Sequence, residues 1–218
     1  MRVKIKDVLN RLGPFFILYL LVLAACFAID LMYSCKVIFF AVNNLNSPLA
    51  DHIEPYFTDI GDGIFALTLA AIIALINYRK ALLLASSYLV TSVIAQVLKF
   101  IINKPRPRAY FNAQWSHVHT IKGLYIFSTH SFPSGHTVTA FSLAIVITYL
   151  SRNKNWGILT LLVAMLVGYS RMYLTQHFFE DVIAGSVIGV IATIFWVGWL
   201  DNRKFIHTTK WNLGLLKH

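Results

Sequence analysis

Charge is scarce in this sequence. Only 13% of the 218 residues are Asp, Glu, Lys or Arg, nine of them acidic, whereas 57% are hydrophobic and the mean hydropathy is +0.65. That is far from the composition of a soluble domain. Cysteine is equally sparse: Cys26 and Cys35 are too few for a disulfide framework, and Cys26, inside an apolar run, reads as a small buried hydrophobe. No sustained series of ~10-residue alternating segments is present, which argues against a transmembrane barrel. Internal repeats, low-complexity tracts and a linker to a soluble domain are also missing. The few charges lie between long apolar runs, the pattern of a helical protein that crosses the bilayer several times. The length fits one domain, residues 1–218.

The formal net charge of +10 raises the question of nucleic acid. Its distribution answers against it, because no basic helix face or stripe exists and the cations sit in short loops and tails; such residues report membrane topology. The apolar runs predict six spans: Pro14–Asp30, Gly63–Asn77, Ala81–Ile102, Gly135–Leu150, Trp156–Leu174 and Val182–Leu200. Between the first two, Leu31–Asp62 holds an apolar patch, Val37–Val42, too short to span and expected to lie in the interface. With the N-terminus in the cytoplasm, six spans return the C-terminus there. The cytoplasmic side then carries twelve cations (Arg2, Lys4, Lys6, Arg11, Arg79, Lys80, Arg152, Lys154, Arg203, Lys204, Lys210, Lys217) and the outer side seven (Lys36, Lys99, Lys104, Arg106, Arg108, Lys122, Arg171). Setting aside Lys99, Arg106 and Arg171, which form a phosphate pocket below, leaves twelve against four and supports this orientation. A basic start, an apolar run and Leu23-Ala24-Ala25-Cys26 also resemble a bacterial lipoprotein signal, but the segment is expected to remain as the first span. In the sixth span, Gly185 and Gly189 form a small-xxx-small pattern suited to close helix packing.

Ionisable groups at span ends are costly unless paired or used. Three clusters of them map to the outer face. Lys99 lies in the last turn of span three, and Arg106 follows after Pro105 stops the helix; both suit a phosphate, Arg106 with a two-pronged grip. Phe132-Pro133-Ser134-Gly135-His136-Thr137 opens span four. Ser134 and the helix start present free N–H groups to an anion, Gly135 allows close backbone approach, and His136 is a candidate proton donor. Ser170-Arg171 and His177 through Asp181 join spans five and six. If His177 begins the helix of span six, Asp181 lies four residues on and shares its face; a carboxylate on one ring nitrogen leaves the other as a nucleophile. Each cluster alone has a plain reading as snorkelling cations, a helix cap or an interfacial ion pair. Together those readings need three coincidences on one face.

The arrangement Lys-x6-Arg-Pro, Pro-Ser-Gly-His and Ser-Arg-x5-His-x3-Asp resembles the type 2 phosphatidic acid phosphatase (PAP2) superfamily. Every motif position is filled: Lys99, Arg106, Pro107, Pro133, Ser134, Gly135, His136, Ser170, Arg171, His177 and Asp181. The resemblance covers residues 99–181 directly. It implies an all-α, six-span membrane phosphatase that needs no metal or cofactor. It further implies that His177 attacks phosphorus to give a phosphohistidine, with Asp181 orienting it. His136 would protonate the leaving group and then activate water. Lys99, Arg106, Arg171, Ser134 and the Gly135 N–H would stabilise the equatorial oxygens.

His117, His119 and His130 in the long outer loop lack the partners of a metal set and are expected to be solvated. A soluble haloperoxidase architecture is excluded by the apolar spans. A non-catalytic lipid-phosphate binder would have lost a motif residue, and a transporter would be expected to carry ionisable groups near mid-membrane. The expected substrates are outer-leaflet lipid phosphates: phosphatidic acid, phosphatidylglycerol phosphate, polyprenyl diphosphates such as the undecaprenyl carrier, or lipid A. Arg108 and Lys122, as extra outer cations, mildly favour a second phosphate.

Overall fold

A computed structural model describes residues 4–151 and 153–216; Arg2, Arg152 and Lys217 of the charge count lie outside the described residues. The regular structure is helical. α1 (Ile5–Leu12) is a short amphipathic helix capped by Asp7, whose carboxylate accepts from Lys4 N at 2.8 Å, and it buries Val8 and Leu12. Gly13, at φ +46°, turns the chain, and Pro14 opens α2 (Pro14–Met32) in the position where its missing N–H costs nothing. α2 runs unbroken through Cys26 and buries only Phe15 and Tyr19, which leaves most of its apolar surface for lipid.

α3 (Cys35–Asn43) and α4 (Pro48–Ile60) begin at Ser34 and Ser47, each accepting a first-turn N–H. α5 (Gly63–Ala74) follows at a 56° bend, with Asp62 as its cap. α6 (Tyr78–Ile102) ends where Asn103 adopts a left-handed conformation ahead of Pro105. A four-residue turn of helix, α7 (Pro107–Tyr110), and a 3-10 turn (Asn112–His117) start the long loop. α8 (Gly135–Leu150), α9 (Trp156–Tyr173) and α10 (Phe179–Leu200) complete the bundle, followed by a 3-10 turn and α11 (Thr209–Asn212).

α8 is the central post. Twelve of its sixteen residues are buried by helices on all sides, α6, α9 and α10 chief among them. Gly185 and Gly189 let α10 close on it: a Cβ at Gly189 would stand 2.6 Å from the Val138 carbonyl oxygen, and one at Gly185 2.8 Å from that of Ser134. At the end opposite the motif residues, buried Asp201 accepts from Arg79 Nη2 (2.6 Å) and Tyr149 Oη (2.6 Å), while Arg11 lies over the Tyr149 ring. This network ties α1, α6, α8 and α10 together. It puts the N-terminal helix and the C-terminal end of α10 at the same end of the bundle.

Six spans are not what helix length and composition give. Among the described residues four helices, α2, α6, α9 and α10, are long and apolar enough to cross a membrane, and the bent pair α4–α5, taken as one span, makes a fifth. The expected second span is only the α5 arm of that pair. α8 matches its expected bounds but rises ~24 Å at 1.5 Å per residue, short of a ~30 Å hydrocarbon core. Enclosed by protein, it still runs from the site end at Gly135 to the Asp201 end at Tyr149. The patch Val37–Val42 lies in α3, yet the rest of that stretch is no passive interface, since α4 packs along α9.

Candidate active site

The motif residues converge at one end of α6, α8, α9 and α10. Lys99 stands in the last turn of α6, and a Cβ built on Gly135 would lie 3.8 Å from its Nζ, so the amine faces the start of α8. Arg106 is buried and fixed along one edge: Nε donates to Thr129 O (2.9 Å), and Nη1 to Gln176 O (3.1 Å) and Oε1 (3.0 Å). Its backbone N–H donates to Ser128 O at 2.9 Å, and Phe127 lies under the guanidinium. An aromatic cluster of Phe39, Phe111 and Phe178, with Val118, anchors α3 and the long loop beneath this layer.

Ser134 precedes α8 and is fully buried. Its N–H donates to Asp181 O (3.0 Å) and its Oγ accepts from Thr137 Oγ1 (2.9 Å), so no side chain caps the helix. The first-turn N–H groups of α8 therefore remain available to an anion, as at any uncapped helix start. Arg171, in the last turn of α9, is buried with Nη1 donating to Thr58 Oγ1 and Nε without a partner.

α9 ends at Tyr173, and Thr175 takes a positive φ of +57°. The N–H groups of Gln176 and His177 then fold back onto Arg171 O at 3.0 and 3.2 Å. His177 lies in this connection, not at the head of a helix as expected. α10 begins two residues later, and Asp181 sits in its first turn. The Asp181 carboxylate turns back to cap: Oδ2 accepts from Phe178 N (2.9 Å) and Ser131 Oγ (2.5 Å) and stands 3.5 Å from His177 Nδ1. A helix cap, rather than a shared helix face, thus joins the two residues. Lys104 Nζ approaches the other oxygen at 3.5 Å and is also paired with Glu180.

Burial, followed by the fields of Arg106, Arg171 and Lys99, holds the His177 imidazole well below its usual pKa of 6.5 and keeps it neutral. Burial acts first on His136 as well, followed by the fields of Arg171, His177, Lys99 and Arg106. His136 is the second residue of α8, and its Nε2 lies 3.8 Å from Asp62 Oδ2.

All eight motif residues expected at the site are therefore brought together. Five further residues of the site had no place in the sequence pattern: Thr58, Asp62, Lys104, Ser131 and Gln176. Asp62 could have been found, because it directly precedes an expected span on the same face as the clusters. Arg108 is turned to the long loop, where it stacks over Trp115. His119 is half-buried and paired rather than free in the loop: Nε2 is 2.9 Å from Asp51 Oδ1, which also accepts from Tyr173 Oη at 2.6 Å, and this clamps the long loop to α4 and α9.

The model of the PAP2 superfamily matches residues 80–205, more than half of the chain. The chain belongs to the PAP2 superfamily. Phosphatidylglycerophosphatase B of Bacillus subtilis is 30% identical over 189 residues, covering 80% of this chain and 87% of that protein. Undecaprenyl-diphosphatase BcrC of the same organism is 31% identical over 159 residues, 71% and 78% respectively. The crystal structure of Aquifex aeolicus LpxE superposes with a TM-score of 0.66 at 29% identity, over 74% of this chain and 93% of that one. The PAP2 relatives are lipid phosphatases, and with its apolar helices this chain is a multi-pass membrane lipid phosphatase, a hydrolase of phosphoric esters.

Proposed function

We propose that the protein, a single domain over its 218 residues, removes phosphate from a lipid phosphomonoester or diphosphate through a phosphohistidine on His177. The observation that carries this reading is a buried His177 whose Nδ1 lies 3.5 Å from Asp181 Oδ2, within the fields of Arg106, Arg171 and Lys99. With Nδ1 turned to the carboxylate, Nε2 is the nucleophile. Its lone pair forms the N–P bond as the bond to the leaving oxygen breaks, and protonated His136 gives that oxygen its proton. Water then attacks the phosphoryl group, His136 takes the water's proton, and the N–P bond breaks to release inorganic phosphate and neutral His177. Lys99, Arg106, Arg171, Ser134 and the Gly135 N–H hold the equatorial oxygens, and Asp181 stabilises the charge that His177 gains.

These residues supply nucleophile, proton donor and charge stabilisation, so no cofactor or metal enters the scheme. Nor does a non-catalytic binding role suit a site whose every motif position is filled. The substrates are phospholipid, polyprenyl or lipid A phosphates, the classes named for the relatives, and nucleic acid is not among the partners. Because Arg108 is engaged with Trp115, the argument for a second phosphate on a diphosphate substrate loses one of its two cations. The active site faces outward from the cytoplasmic membrane, with both termini in the cytoplasm, on the strength of the cation asymmetry. Phosphate release by detergent-purified protein from phosphatidic acid, phosphatidylglycerol phosphate, undecaprenyl diphosphate and lipid A tests the function. One substrate turned over far faster than the rest, with no release by His177→Ala, is expected. Release by His177→Ala at the unmodified rate would remove the proposal.

A further inference from the structure

The corner between α4 and α5 brings to the pocket a carboxylate that lies outside the motif set. Asp62 caps α5, its Oδ1 accepting from Ile64 N at 2.7 Å, while Oδ2 stands 3.8 Å from His136 Nε2. Backbone packing sets this approach. At Gly61, one residue earlier, a Cβ would fall 2.8 Å from the His136 carbonyl oxygen and 2.7 Å from Val167 Cγ1, so only glycine lets the corner seat against α8 and α9.

The charges around His136 make that carboxylate consequential. Burial acts on the imidazole first, and after it the fields of Arg171 on α9, His177 in the connection to α10, Lys99 on α6 and Arg106 in the loop after α6. Asp181 lies behind His177 and is engaged by Ser131 and the Phe178 N–H. From the α4–α5 corner, Asp59 and Asp62 both act on Arg171, and Asp62 alone pairs with His136. A proton donor has to carry its proton when the substrate arrives, yet an imidazolium here stands among three cations. Like charges oppose it, and an adjacent carboxylate offsets them.

We propose that Asp62 is a positioning residue for His136, orienting its ring and keeping it protonated for transfer to the leaving oxygen. This rests on the reading of His136 as the proton donor. Asp62 is 43% exposed, so solvent screens part of its field and the effect is moderate rather than large.

Asp62→Asn isolates the charge, because Asn caps a helix as well as Asp does. The readout is kcat/KM on two substrates: dioctanoyl phosphatidic acid, whose alkoxide leaving group needs a proton, and p-nitrophenyl phosphate, whose leaving group does not. Asp62→Asn is expected to lower kcat/KM about tenfold on the lipid and several-fold less on the aryl ester. The basic limb of the lipid pH profile should move down by about one unit, and Asp62→Glu should restore it. Equal losses on both substrates with an unmoved basic limb would overturn the role of Asp62. His136→Ala separates this from the underlying reading: a selective loss on the lipid upholds His136 as donor, and equal losses sink the donor and Asp62 together. If Asp62→Asn fails to accumulate, Asp62→Ser, which also caps, is scored in the same way.

Discussion

Arg171 enters the pocket from the last turn of α9 with one guanidinium nitrogen tied to Thr58 and another unpartnered in the interior. The hydroxyl of Thr58 is thus what aims the cation. Thr58→Val keeps the side-chain volume and removes the acceptor. A buried hydrogen bond to a charged group contributes about 1.5–3 kcal/mol, so kcat/KM is expected to fall roughly ten- to hundredfold, mainly through KM. An unchanged KM would mean that packing alone orients Arg171. His177 carries a second prediction at this scale. Its pKa is held well below 6.5 in the folded protein, so below about pH 6.5 the unfolded chain takes up a proton that the native state refuses. The stabilisation is complete above that pH and declines as pH falls. Between pH 7.5 and 5.5 the Tm in detergent should therefore drop, and drop less for His177→Gln. Parallel lines for the two proteins would assign the acid sensitivity to other groups.

At the scale of elements, the site depends on how closely α10 approaches α8, because Asp181 rides on one and Ser134 and His136 on the other. Gly189→Ala would force a methyl to within 2.6 Å of a backbone oxygen of α8, whereas Gly198→Ala meets nothing nearer than Val8 Cγ2 at 3.6 Å. Overpacking of this kind costs about 1–3 kcal/mol. Gly189→Ala should lower both Tm and activity, and Gly198→Ala neither; similar melting of the two variants would contradict the close-packing account. These elements also show what could be read beforehand. The bounds of α8, the glycine pair on α10 and the eight motif residues follow from hydropathy and motif alone. At the α4–α5 corner only the place of Asp62 before an expected span was legible; Thr58 belongs to a polar, weakly periodic stretch whose meaning comes from contacts with α8 and α9. The helix cap that joins Asp181 to His177 was mistaken for a shared helix face for a related reason. An i,i+4 spacing fits both, and only the break after Tyr173 separates them.

For the molecule as a whole, one end carries the site and the other carries the Asp201 network, with α1 and the C-terminal end of α10. The proposed orientation, which rests on the cation asymmetry, puts the site end outside. In a background lacking Cys26 and Cys35, a cysteine at exposed Gln114 should react with a membrane-impermeant thiol reagent in intact cells. One at exposed Asn153 should react only after the membrane is opened. The reverse pattern would invert the orientation and move the substrate to the inner leaflet. The covalent intermediate is the central claim, and a pre-steady-state burst tests it most directly. p-Nitrophenolate leaves without a proton, so His136→Ala should still be phosphorylated but should stall before water attacks. Rapid mixing of that variant with p-nitrophenyl phosphate is expected to release about one equivalent of p-nitrophenolate, leaving an acid-labile, alkali-stable phosphoryl group on the peptide containing His177. No burst, or the same burst from a protein that also carries His177→Ala, would contradict the phosphohistidine.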